Sequence, residues 1–291
     1  DNANSSNTKY RIRDYWDKGP KDIVIPDSLP SPPYLLPNMF NVPVGEIMDK
    51  SFREKGLKTV VIPNTIKKIG YEAFYGNNLT EVTVESTVPP ALHATAFENN
   101  PPFSLIVPQQ SIDAYKEHAT WKHLKPKIKP SITFNLQNEE FTIHELISLN
   151  ATSNSGGKIV YSVEEGGTAT ASLYGNENVI LEASSFGTVK VKATVLEKGD
   201  YVTHSKTITL QIVPQVGSEF MQNDFMYKVT GNSPYELSVS GYTANEKEIT
   251  IPGHISNLGG DFAVTAVEKE AFFRKGLKEV VISAPVSTIG E

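Results

Sequence analysis

GLKTVVIPNTIKKIGYEAFYGNNLTEVTV, residues 56–84, contains the same apolar phrase twice. The phrase is Leu-x-x-Val-x-Ile at Leu57, and it begins again as Leu-x-x-Val-x-Val at Leu79, 22 residues later. A period of this length is typical of solenoid proteins, in which each unit leaves its apolar face open until a neighbouring unit stacks on it. The stretch therefore predicts short stacked strands that bury one face and display the other.

A phenylalanine recurs in step with this phrase. Each ring has an apolar residue five positions before it and an Ala or Ser directly before it, and the rings are 22 and then 23 residues apart. The three pairs are Ile47/Phe52, Ile69/Phe74 and Leu92/Phe97. We therefore predict a repeat array over residues 10–128, preceded by a flexible polar tether at residues 1–9.

The end of this array has a different pattern, which predicts a helical cap. Ser111 is placed to N-cap a helix that carries Ile112, Tyr115 and Ala119 on one face, and Pro126 follows shortly afterwards. A terminal repeat needs such a cover because one of its faces has no neighbour.

Residues 131–214 lose the period and change to alternating apolar and polar residues between Gly-rich turns. Seven short strands in a segment of this length are typical of an antiparallel β-sandwich of the immunoglobulin type, although the Cys and Trp marks of antibody domains are absent. The predicted strands are Ile132–Phe134, Phe141–Ile143, Leu146–Leu149, Ile159–Val163, Val179–Leu181, Val189–Val195 and Ile208–Ile212.

Residues 218–291, which we call the second repeat segment, return to the first pattern. The stretch Phe272–Ile282 closely repeats Phe52–Ile62 at a constant offset of 220 residues. The segment contains only about one and a half units, and an uncovered unit would expose its apolar edge. We therefore expect either that the native chain continues past Glu291 or that something else covers this edge.

The repeat phrase I-G-x-x-A-F-x-x-x-x-L-x-x-V, present at residues 69–82, resembles the BspA-type leucine-rich repeat of bacterial surface proteins. The resemblance extends over residues 10–128 and 218–291, while residues 131–214 resemble bacterial immunoglobulin-like repeats. It implies a mainly β protein, in which a leucine-rich repeat solenoid, an immunoglobulin-like β-sandwich and a second, truncated leucine-rich repeat segment follow one another. It also implies an extracellular or cell-surface location, with the signal or anchor segment absent from this chain.

Composition excludes several classes of function. Lys and Arg number 27 against 33 Asp and Glu, for a net charge of −6, and no basic block could follow a nucleic-acid backbone. The absence of cysteine excludes disulfides, thiolate metal sites and thiol nucleophiles. No apolar run reaches about 18 residues, so no segment is predicted to span a membrane.

Candidate catalytic groups are scattered. His118 and His123 lie five residues apart without the Glu of a zincin motif, and neighbouring acids such as Glu164 and Glu165 lie beside turns, where carboxylates are usually solvated. No nucleophile elbow, phosphate-binding loop, dinucleotide motif or calcium loop is present. We predict that the protein is not an enzyme and has no catalytic residues, metal site or cofactor.

The repeat strands supply the predicted binding face. Side chains alternate along a strand, so those between the inward Val and Ile positions point outward, and stacking aligns equivalent positions in columns. One predicted column contains Thr59, Glu81 and Ser104, and the other contains Val61, Thr83 and Ile106.

These features, together with the resemblance, predict a non-catalytic binding protein that acts in adhesion or in recognition of an extracellular protein or glycan. We expect a monomer without nucleic-acid partners. One alternative is a structural or assembly component of the cell envelope, and another is an accessory module of a larger surface enzyme.

Overall fold

The computed structural model shows a mainly β protein whose contacts divide it into two units. The first unit runs to Pro130 and includes Glu197–His204, and the second comprises Ser131–Leu196 and the chain from Ser205 onward. The predicted tether, apart from Lys9, lies outside the described residues. The structure describes residues 9–15, 18–30, 42–138, 140–232, 234–256 and 261–290.

Short strands in the first unit form two parallel sheets, to which successive repeats each add one strand. The strands are β1 (Tyr10–Ile12), β2 (Asp22–Val24), β3 (Ser28–Leu29), β4 (Val42–Ile47), β5 (Thr59–Ile62), β6 (Lys68–Ile69), β7 (Glu81–Val84), β8 (Ala91–Leu92) and β9 (Ser104–Ile106). The first sheet has the order β2-β5-β7-β9, and the second has the order β1-β4-β6-β8, with β3 antiparallel to β4. The solenoid predicted from the 22-residue period is therefore present.

Aromatic rings stack through the core between these sheets. The ring centroids of Phe52 and Phe74 are 5.0 Å apart at an interplanar angle of 6°, and those of Phe74 and Phe97 are 5.0 Å apart at 2°. The small residues that precede the first two rings, Ser51 and Ala73, are fully buried. This packing explains why Ala or Ser precedes each ring, since a larger side chain would have no room.

Asparagine side chains join the repeats beside the stacked rings. The Asn77 amide nitrogen donates to the carbonyl oxygens of Phe52 and Phe74, both at 2.8 Å. Its oxygen accepts from the backbone N–H groups of Lys55 and Leu57, both at 3.0 Å. Asn100 repeats the donor contacts one unit later. These contacts satisfy backbone groups that the turns would otherwise bury without partners.

The glycine of the Ile-Gly phrase is required by a close approach between repeats. A Cβ on Gly70 would lie 2.7 Å from the backbone nitrogen of Asp49, and one on Gly290 would lie 2.5 Å from that of Lys269. The Gly70 N–H also donates to the Ile47 carbonyl at 2.9 Å. The same constraint therefore acts at equivalent positions of both repeat segments.

The predicted cap is present, with a shorter helix than expected. Helix α1 spans Ile112–Glu117 and buries Ile112 and Tyr115, and a 3₁₀ turn at Trp121–Leu124 buries Trp121. Ala119 lies beyond the helix and is exposed, because the chain becomes extended at His118. Ser111 holds the N-cap position, but its hydroxyl donates to the Pro108 carbonyl and does not cap an N–H group.

We expect Asn77→Ala to lower the free energy of unfolding by about 2 to 4 kcal/mol, because it leaves several buried backbone groups without partners. Urea unfolding of the full chain measures this change. The matched control is Asn78→Ala, an exposed neighbour whose substitution should shift stability by less than about 0.5 kcal/mol. Equal effects of the two substitutions would contradict the role assigned to Asn77.

Nine strands form the first part of the second unit, two more than predicted. They are β10 (Ile132–Phe134), β11 (Glu140–Phe141), β12 (Leu146–Ser148), β13 (Ala151–Ser153), β14 (Ile159–Glu164), β15 (Ala171–Tyr174), β16 (Ile180–Ala183), β17 (Gly187–Val195) and β18 (His204–Ile212). Their sheets have the orders β10-β13, β11-β18-β17-β14 and β12-β16-β15. The unpredicted strand β13 contains only Ala, Thr and Ser, and β15 places its two large residues, Leu173 and Tyr174, next to each other, so neither strand shows apolar alternation.

The second repeat segment repeats the local geometry of the first. Its strands are β19 (Glu219–Gln222), β20 (Phe225–Asn232), β21 (Tyr235–Tyr242), β22 (Glu248–Ile251), β23 (His254–Ser256), β24 (Asp261–Val267), β25 (Glu279–Ile282) and β26 (Thr288–Ile289). Left-handed backbone recurs at an offset of 220 residues, in the pairs Lys50/Glu270, Glu54/Arg274 and Gly56/Gly276. β22 and β25 pair in parallel, as β2 and β5 do.

Residues 131–214 and the second repeat segment share one hydrophobic core. Phe186, which precedes β17, lies 5.2 Å from Phe220 and 6.2 Å from Phe262 between ring centroids. Phe186 and Phe262 are 1% and 0% exposed. From the sequence we predict separate domains at residues 131–214 and 218–291, and that division stays a prediction. In the structure, both stretches pack into one unit around a common core.

Truncation of the shared ring in Phe186→Ala should lower the free energy of unfolding of the second unit by about 3 to 5 kcal/mol, because it removes contacts and leaves a cavity. Hydrogen exchange of the intact chain should show faster exchange in β20 and β24 as well as in β17. Val160→Ala, at a position that is 40% exposed, is the control. Faster exchange confined to residues 131–214 would contradict a shared core.

Candidate functional site

The first sheet brings most of the predicted binding residues together in register. Thr59 pairs with Glu81, and Glu81 pairs with Ser104, which forms the first predicted column. Val61 pairs with Thr83 in the second column. All five side chains are half-buried or exposed, while the residues that alternate with them are buried. We call the side of the sheet that carries these side chains the outer face.

Two residues of the outer face were missed by the sequence analysis. β2 pairs with β5 so that Asp22 lies opposite Thr59 and Val24 lies opposite Val61. Val24 is 73% exposed, which makes it the most exposed large apolar residue of the described chain. The phrase Ile23-x-Ile25-Pro26, which matches Val60-x-Ile62-Pro63, was the signal that could have placed both residues.

Ile106 does not belong to the exposed part of this face, and its predicted placement was wrong in that respect. It pairs with Thr83 as expected, but it is only 4% exposed. The chain adds Lys127 next to it, and the Lys127 ammonium group contacts the Glu197 carboxylate at 2.9 Å and the Gly199 carbonyl at 3.0 Å. The sheet therefore continues past β9, and Lys127 joins this end of the sheet to Glu197 and Gly199.

At the β9 end of the outer face, the charged groups of Lys129 and Glu81 act on His204. Burial is the main cause that lowers the pKa of His204 below its ordinary value, and the positive charge of Lys129 lowers it further. The carboxylate of Glu81 acts in the opposite direction and raises this pKa. At the other end, the Thr59 hydroxyl donates to the Asp22 carboxylate at 2.9 Å. The polar column thus contains two acids, one of which lies close enough to His204 to affect its charge.

The other candidate groups remain apart. His118 follows α1 and His123 lies in the 3₁₀ turn, so they do not share a helix. A hydrogen bond from Ser162 and the neighbouring Lys192 ammonium lower the pKa of Glu164, which leaves this carboxylate an ordinary ion-pair partner. Within the residues that the structure describes, no three His, Cys, Asp or Glu side chains cluster closely enough to hold a metal ion.

The charge arrangement around His204 predicts opposite effects of two substitutions. Glu81→Gln should lower the pKa of His204 further, because it removes a charge that favours the imidazolium. Lys129→Met should raise the pKa, because it removes a charge that opposes protonation. An NMR pH titration of the His204 ring in the intact chain measures both. Shifts of the same sign would show that the two groups do not act on His204 directly.

Comparison with known protein families gives a match to part of the chain. Residues 45–154 are similar to the BspA type leucine rich repeat region, in six copies. The match begins within β4, includes the cap and ends just after β13, so it covers less than half of the chain. It confirms the family resemblance for the repeats that carry β5, β7 and β9.

None of the curated proteins compared with the chain matches it. In the parts of the chain that the structure describes, no helix is long and apolar enough to cross a membrane.

Proposed function

Because residues 45–154 carry BspA-type leucine-rich repeats, we propose that this chain is a non-catalytic bacterial surface or secreted protein that binds an extracellular protein through the outer face. Repeats of this type suggest protein binding or adhesion at the bacterial surface. The fold supplies only this class of function, so the partner must be argued from the face itself.

The outer face has the composition of a small protein interface. Val24, Val61 and the methyl-bearing Thr83 form a mostly apolar column, and next to it Asp22, Thr59, Glu81 and Ser104 form a polar one. Protein interfaces commonly combine an apolar centre with a polar rim. The row of outward β-branched side chains on a parallel sheet, exposed at Val24 and half-buried at Val61 and Thr83, is the single observation that carries the proposal.

The dimensions of the face limit its strength as a binding site. Four strands at about 4.8 Å spacing span roughly 14 Å between the outermost strands. β2, β5 and β7 each present two outward side chains, and β9 presents only Ser104. A standard interface buries about 800 Å² on each partner, which is more than this surface offers. We therefore expect the outer face to supply the centre of a larger contact or to bind weakly by itself.

The remaining segments have a supporting role in this proposal. We interpret residues 131–214 as an immunoglobulin-like spacer and residues 218–291 as a second leucine-rich repeat segment. The 220-residue offset, the recurring left-handed turns and the parallel β22–β25 pair support the second interpretation.

Exposed apolar residues on the second repeat segment favour one other function, a structural or assembly role. Val280 and Ile282 are 39% and 41% exposed, whereas their equivalents Val60 and Ile62 are 1% and 0% exposed. A strand edge with exposed apolar side chains can pair with a further strand, whether from another chain or from more repeats. Assembly that depends on concentration, without binding to outside proteins, would favour this role.

A binding screen of the full chain against extracellular matrix proteins and glycans tests the first proposal. The double variant Val61→Lys/Thr83→Lys should weaken a protein hit by at least about tenfold, since it places two charges in the apolar column. The matched control is Thr250→Lys, at an exposed position on β22 of the second repeat segment.

Unchanged binding of the double variant, with a loss in the control, would move the site to the second repeat segment. A hit against glycans alone would contradict a protein partner. Analytical ultracentrifugation of the same samples shows whether the chain assembles and thereby tests the structural alternative.

A further inference from the structure

A cavity of about 540 Å³ opens in the first unit, where the turn of the last repeat meets the cap. Its apolar wall is formed by Leu92, Phe97, Phe103 and Leu124. This volume lies within the range of cavities that hold small ligands or single large side chains. The cavity is separate from the outer face, since none of the residues of that face line it.

The aromatic stack of the core ends at this cavity. Phe74 and Phe97 are parallel, but the next rings are tilted, with Phe103 at 48° and 5.6 Å and Trp121 at 51° and 6.2 Å from Phe97. The indole N–H of Trp121 donates to the Pro90 carbonyl at 2.7 Å, and this bond fixes the tilted orientation of the Trp121 ring. In the described part of the chain, no parallel ring follows Phe97.

The angle between Phe97 and Phe103 suits an additional aromatic ring. Aromatic pairs favour offset or edge-to-face contacts with centroids about 4.5 to 7 Å apart, and a ring that lies against both tilted rings, on the cavity side, can make both kinds of contact. Phe97 is 6% exposed and forms the floor, whereas Phe103 and Leu124 are half-buried and form walls that an incoming group would cover.

Polar groups surround the mouth of the cavity. Asn99, His123 and Lys125 are exposed, and Thr120 is half-buried. They offer hydrogen-bond donors and acceptors next to an apolar interior, which matches a group that is apolar in its body and polar at its end. A tyrosine side chain has this chemistry, and large aromatic residues are the usual anchors at protein interfaces.

We propose that this cavity binds an aromatic side chain, tyrosine above all, that projects from the protein partner. The inference rests on the proposed function in protein binding and adds a second contact site to it. A ring seated here would contribute the buried anchor that the small outer face lacks. The partner is then a protein that presents an exposed tyrosine or phenylalanine on a loop or an extended segment.

The test uses small uncharged probes, so that it does not depend on identifying the partner. N-acetyl-tyrosinamide is titrated into the full chain, with N-acetyl-leucinamide as the aliphatic control and methyl glucoside as the sugar control. NMR shifts should concentrate at Ala94, Phe103, Thr120 and Leu124, with a dissociation constant on the order of 1 mM for a ligand of this size. The leucine probe should bind at least about fivefold more weakly.

Two variants locate the site. Ala94→Trp places a large ring at an exposed cavity position and should weaken binding of the tyrosine probe at least about tenfold. The matched control, Ala114→Trp on the exposed side of α1, should leave binding unchanged. Phe103→Leu keeps an apolar wall without the ring, and it should reduce the preference for tyrosine over leucine.

Equal binding of tyrosine and leucine probes, shifts away from these residues, or binding of the sugar alone would overturn the proposal. Failure of this proposal can be distinguished from failure of the proposed function. If a protein partner binds the Ala94→Trp variant with unchanged affinity, the cavity is not a contact site and the outer face remains the proposed site. A tyrosine probe that binds while no protein partner is found supports the cavity and contradicts the proposed partner class.

Discussion

Each repeat of the first unit depends on the next to satisfy its backbone. The amide of Asn77 reaches back to Phe52 and Leu57, and the Phe52 N–H donates forward to the Ala73 carbonyl. Because these polar groups are buried, their bonds allow little sliding between units. The stacked rings, the two parallel sheets and the alignment of outer-face columns all follow from this fixed spacing.

The cap is the consequence of stopping such a stack. It covers the last repeat with Tyr115 and Trp121, whose polar atoms bond to the backbone of Ser86 and Pro90. A helix and a 3₁₀ turn cannot reproduce the flat contact that another repeat would make. The tilted rings and the cavity beside Phe97 arise from this mismatch, so the proposed aromatic site is a product of how the array ends.

The sequence predicted the inward residues and the register of the candidate site because stacking repeats the same periodicity in three dimensions. It placed Thr59, Glu81 and Ser104 in one column correctly. It missed Asp22 and Val24, although the repeat phrase that contains them was visible. It also predicted wrongly that Ile106 would be exposed. Periodicity could not reveal this error, since Ile106 lies beside Lys127, a residue outside the repeats that contacts residues about 70 positions away.

Local pattern alone thus determined the repeat period, the buried faces, the cap and the mainly β character, because each depends on side chains within one or two units. Tertiary packing decided which surfaces remain open. The shared core around Phe186, the covered end at Ile106 and the cavity next to Phe97 depend on side chains far apart in the chain. Contacts of that range carry no periodic signal, so they became visible only in the folded protein.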